Sequence, residues 1–132
     1  MRLAAYTSLA LLAAAPLSAK PLDVRIGETW VFTIAHSQPA KVRKVDARTA
    51  PMAGEMKVTL SELMGTTMTI SNNSKYDYAY RAVLVLPNGK TGPAKSCAVP
   101  ASGRMAMEHW PQRVAAVRLS DFKPAPAGSL CP

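Results

Sequence analysis

Apolar and polar residues alternate through most of the chain beyond Lys20, and the period is two rather than three or four. In "ETWVFTIA", Trp30, Phe32 and Ile34 fall on one face and Val31, Thr33 and Ala35 on the other. "EMKVTLS" sends Met56, Val58 and Leu60 one way, against Lys57, Thr59 and Ser61, and "TTMTIS" separates Met68 and Ile70 from Thr67, Thr69 and Ser71. Such patterns predict half-buried antiparallel strands. The longest run, "KYDYAYRAVLVLP", places Tyr76, Tyr78, Tyr80, Ala82, Leu84 and Leu86 on one face, and reads as a long, bent strand crossing the middle of a sheet. "SNNSK" and "LPNGKTG" read as turns, with Asn88-Gly89 the strongest hairpin signal, and "HSQPA" and "ARTAPMAGE" as loops. The sequon Asn72-Asn73-Ser74 is chemically open to N-glycosylation but more simply marks a turn. The Pro- and Gly-rich end, about residues 121–132, lacks periodicity and is expected outside the sheet interior, because proline donates nothing to a ladder.

About eight short strands, closely spaced turns, no clear helix and no internal repeat predict an all-β fold. An antiparallel β-sandwich of immunoglobulin-like architecture is favoured, and a small β-barrel is the alternative. The Cys…Trp…Cys spacing of antibody domains is absent, so the likeness is one of architecture alone.

The two ends change the picture. Arg2 is followed by a charge-free, Leu- and Ala-rich stretch from Leu3 to Ala19, the layout of a cleaved signal peptide over residues 1–19. An uncleaved anchor is disfavoured, since Ser and Pro weaken a stretch already short for a bilayer. Export from a bacterium to the periplasm or the medium is therefore expected, with residues 20–132 as one domain and no integral membrane span after cleavage. In that compartment Cys97 and Cys131 are expected to form a structural disulfide that pins the loose tail. They form no CxxC, so thiol–disulfide catalysis is not expected.

The formal charge is +8, and loss of Arg2 with the leader lowers it to +7. Lys41, Arg43, Lys44 and Arg48 are the densest basic stretch and form a candidate basic surface for anionic lipid or glycan; nucleic acid is not a natural partner of an exported chain. Protection of a strand edge by solvated cations is the preferred explanation of that stretch.

"SGRMAMEHWPQR" raises the one pointed chemical question. Met105, Met107 and His109 alternate on one strand face, and two thioethers with an imidazole suit Cu(I). Met56 and Met68 lie among apolar core positions, however, and Arg104, Ala106 and Glu108 suit solvent, so burial is the preferred expectation for Met105 and Met107, with no metal or other cofactor. His36 lies in a separate loop. No nucleophile elbow, phosphate loop or zinc spacing is present, and the eight acidic residues are scattered, so no enzyme is expected. Tyr76, Tyr78 and Tyr80 are expected to be core, and Trp110 a core cover. The expectation is an exported envelope accessory protein that recognises a protein partner without catalysis. A periplasmic copper-binding protein using Met105, Met107 and His109 is the first alternative, and a small hydrolase or hydrolase inhibitor the second.

Overall fold

The apolar halves of the alternating runs meet across two antiparallel sheets. The computed structural model describes residues 19–126 and Cys131, so the expected leader, apart from its last residue, falls outside the described residues. Nine strands follow one another: β1 Leu22–Arg25, β2 Thr29–Ala35, β3 Gln38–Val45, β4 Met56–Glu62, β5 Thr66–Asn72, β6 Tyr78–Val85, β7 Thr91–Ala94, β8 Arg104–Trp110 and β9 Ala116–Pro124. One sheet has the order β1-β9-β6-β7 and the other β3-β2-β4-β5-β8. The architecture is a β-sandwich, and the described residues contain no helix. None therefore is long and apolar enough to cross a membrane.

The core lies where the inward faces meet. Met56, Val58 and Leu60 of β4 and Met68 and Ile70 of β5 are fully buried, as their alternation predicts. Leu22 and Val24 of β1, Ala82 and Leu84 of β6, and Val117 and Leu119 of β9 close the cluster from the other sheet. The predicted hairpin at Asn88-Gly89 joins β6 to β7, with Gly89 at a φ of 83° and Asn88 Oδ1 accepting from Lys90 N at 2.9 Å.

Three expectations need correction. "HSQPA" is not a loop: His36 and Ser37 alone make the turn, both at positive φ as a two-residue hairpin requires, and Gln38, Pro39 and Ala40 already belong to β3. The expected strand from Lys75 to Pro87 is shorter, because Asp77 leaves the ladder and its Oδ1 accepts from Ala101 N at 2.7 Å. Most informative is the tail. Asp121, Phe122, Lys123 and Pro124 continue β9, an interior strand, instead of lying outside the sheet. The ladder with β6 slips there, so that Asp121 and Phe122 together oppose Tyr80, and Asp121 takes a φ of 54°. This is a β-bulge. β1 pairs no further along β9 than Leu119, so Pro124 meets β6 only, and its missing N–H breaks no second ladder.

Asn72 is not a glycosylation site in the folded chain. It ends β5 fully buried, its Nδ2 donating to Tyr76 O at 2.7 Å and Val99 O at 3.2 Å while its Oδ1 accepts from Ser74 N at 3.0 Å.

Candidate functional site

A sandwich has four edge strands, and three of these are blunted. β1 and β7 are only four residues long, and β7 carries Pro93. β3 carries Pro39 and a bulge at which Lys41 and Val42 oppose Phe32, with Lys41 at a φ of 50°. Short length, proline, lysine and bulges are the devices that keep an edge from pairing with another chain. β8 has no proline, lysine or bulge and is not short; its charged residues are Arg104 at its start and Glu108, which faces inward and is held by Cys97 N. It runs seven residues in unbroken register with β5, from Thr66↔Trp110 to Asn72↔Arg104, and pairs with no other strand among the described residues.

The register also sets which side of β8 faces the core. Ile70 and Met68 of β5 point inward, and they stand opposite Ala106 and Glu108. Residues directly opposite in an antiparallel pair share a face, so Ala106, Glu108 and Trp110 are inward and Met105, Met107 and His109 outward. The expectation that Met105 and Met107 are core is therefore overturned: they are 62% and 67% exposed, and His109 is exposed beside them. Glu108 made the reading go wrong. Its carboxylate suits solvent on sequence grounds, yet its Oε1 turns in to accept from Cys97 N at 2.7 Å. Trp110 is 7% exposed, and its Nε1 donates to Lys95 O at 3.1 Å, so it covers the core as expected.

The methionines of the described residues thus fall into two groups. Met56 and Met68 fill the core, whereas Met52, Met64, Met105 and Met107 are exposed. Around the last two, the outward face is a field of hydroxyls. Thr67, Thr69 and Ser71 stand opposite His109, Met107 and Met105, and Thr59 and Ser61 continue the rows on β4. Thr67 Oγ1 lies 3.0 Å from His109 Nδ1.

Between the β7 and β8 edges the sheets part over a cleft of about 560 Å³. Tyr80, Arg81, Lys95, Glu108 and the Cys97–Cys131 disulfide line it. The Tyr80 ring stacks on Phe122 at 5.4 Å, and its hydroxyl is buried with no hydrogen-bond partner among the described residues. Burial first, and the Glu108 carboxylate second, hold that phenol protonated well above its usual range. Replacing an unsatisfied buried hydroxyl by hydrogen is neutral or favourable. Tyr80→Phe is expected to leave the urea-unfolding free energy unchanged or raise it by up to about 1 kcal/mol. A clear loss would mean that the hydroxyl has a partner in the cleft. The tyrosine stripe is split, because Tyr78 and Tyr80 pack on the core whereas Tyr76 is exposed.

The basic stretch lies along and just beyond β3, an edge strand. Arg43 pairs with Glu55 at 2.9 Å, Lys44 with Glu28 at 3.0 Å and Arg48 with Asp46 at 3.4 Å. Burial would raise the Glu28 pKa, but donors from Arg25 N, Lys44 and Trp30 outweigh it, and the carboxyl lies below its ordinary value. Of the four cations only Lys41 lacks a carboxylate partner among the described residues.

The acidic residues are similarly occupied. Asp23 holds Arg118 through two contacts at 2.7 and 3.1 Å, Glu62 holds Arg113 at 2.9 Å, and Asp121 accepts from Gln38 Nε2 at 3.0 Å. With the contacts already described, all eight carboxylates have a partner inside the fold. Among the described residues no three His, Cys, Asp or Glu side chains converge as a metal cluster. Comparison with protein-family models, with curated proteins and with solved structures finds no match.

Proposed function

We propose that the protein is an exported, non-catalytic recognition module of the cell envelope that takes an extended segment of a protein partner along β8. The observation that carries this reading is the contrast between edges: three are blunted by short length, proline or a bulge, and the fourth is long, in unbroken register and free of proline, lysine and bulges. An added strand would gain ladder hydrogen bonds from the free side of β8, with neighbouring side chains giving specificity. Met105 and Met107 offer adaptable apolar contact next to that edge, a use to which exposed methionines are well suited. The leader-like first 19 residues and the disulfide support an extracytoplasmic setting.

The test is in-cell cross-linking with a tag placed beyond Cys131 on a spacer. The native chain should recover one stoichiometric envelope protein. The Met105→Lys, Met107→Lys double variant should lose it, because lysines on an edge strand oppose augmentation. Both side chains are exposed, so the variant should unfold within about 0.5 kcal/mol of the native chain. Undiminished capture by the folded variant would remove β8 as the docking edge. Recovery of lipid or glycan alone, released by salt, would shift recognition to Lys41 and its neighbours on β3.

A further inference from the structure

Two thioethers and an imidazole stand in water on one strand face, and neither the core nor the ladder uses them. We propose that Met107 and His109 bind one soft monovalent metal ion, of the Cu(I) and Ag(I) class, with Met105 able to take the place of His109 as the second ligand beside Met107. The proposal does not depend on strand addition: metal binding needs the Met107 and His109 side chains, whereas strand addition needs the free backbone donors and acceptors of β8, with Met107 only a neighbouring contact.

The ligand chemistry is selective. Thioether sulfur and imidazole nitrogen together suit Cu(I)-class ions and offer little to hard cations such as Mg²⁺. No thiolate competes, because both cysteines are consumed in the Cys97–Cys131 bond. The neighbours opposite the three donors, Thr67, Thr69 and Ser71, are uncharged. Lys57 lies two strands from Met105 in the same row, and its Nζ is tied to Ala47 O.

Spacing decides which donors act together. Successive outward positions on a strand lie about 6–7 Å apart, a gap that a flexible methionine arm and an imidazole close when both lean toward a shared ion. Met105 and His109 are two such steps apart, roughly 13 Å, too far for both to join Met107 on one ion. Met107 is therefore the shared ligand, with His109 as its imidazole partner and Met105 as its alternative. Thr67 prepares the histidine. With Nε2 on the metal, Nδ1 carries the proton and donates to Thr67 Oγ1, 3.0 Å away, which fixes both tautomer and ring plane.

Silver(I) is the first probe because it needs no reductant and leaves the disulfide intact. Titration of the purified chain, followed by methionine-methyl and histidine-ring NMR signals, should saturate at one equivalent. Met107 and His109 should shift most, Met105 less, and Met52 and Met64 hardly at all. Met107→Leu keeps volume and apolarity, so it should leave the melting temperature unchanged while weakening silver binding at least tenfold. His109→Gln, which removes the imidazole donor but keeps a similar size, should weaken it similarly. Met105→Leu should cost threefold or less. Equal shifts at Met52 and Met64, or full affinity in a folded Met107→Leu, His109→Gln double variant, would overturn the proposal. Loss of silver binding in the His109→Gln variant with intact partner capture would separate this site from the recognition reading.

Discussion

Phe122→Ala is expected to destabilise the fold by about 3–5 kcal/mol, the cost of deleting a large, fully buried aromatic side chain and leaving a cavity. Phe122 is 1% exposed and sits among three rings: Phe32 at 5.5 Å edge-on, Tyr78 at 6.5 Å edge-on and Tyr80 at 5.4 Å stacked. It joins β2 of one sheet to β6 and β9 of the other, so its loss loosens the contact between the layers. A domain of this size has only about 5–15 kcal/mol in total, and the variant should therefore show a large unfolded population in modest denaturant. The check is urea unfolding, with the midpoint falling and the slope preserved. Phe122→Leu, which keeps much of the volume, should lose clearly less. Equal losses would show that the ring contacts, rather than the volume the side chain fills, carry its contribution.

Removing the disulfide with Cys97→Ser and Cys131→Ser is expected to cost about 3–4 kcal/mol in the chain-entropy account. The bond closes a loop with a sequence separation of 34, which spans β8 and β9. Cys97 also donates its N–H to Glu108 on β8, so the bond anchors the wall of the cleft beside the open edge. Unfolding of the double variant and of the reduced native chain should agree. A loss below about 1 kcal/mol in both would mean that β9 and its bulge hold this end of the chain without the bond, against the entropic expectation.

These two positions show where local sequence signals are strong and where they fail. The disulfide was legible, since the chain has only two cysteines and each has only the other to pair with. Phe122 was not. Proline and glycine around it mark an irregular tail, but the bulge at Asp121 and the short reach of β1 give Pro124 a place at the end of an interior strand. The inward sides of β4 and β5 were legible because their apolar residues alternate cleanly with Lys, Thr and Ser.

The open edge and its exposed methionines belong to the other category. On β8 the period of two was visible but the phase was not, because one side offers Met, Met and His and the other Arg, Ala and Glu. Local hydrophobicity then selects the wrong side. Only pairing with β5 orients the strand, since a buried Met68 and Ile70 force Glu108 and Ala106 inward whatever their polarity. Edge status likewise depends on strand order, which alternation does not encode. By itself the sequence determined the all-β class, most strand positions and turns, and the cysteine pair, because those follow from side-chain period, backbone preference and covalent chemistry within short stretches. The tertiary structure alone decided which strand is left open and which face of it meets water, because both depend on partners far away along the chain.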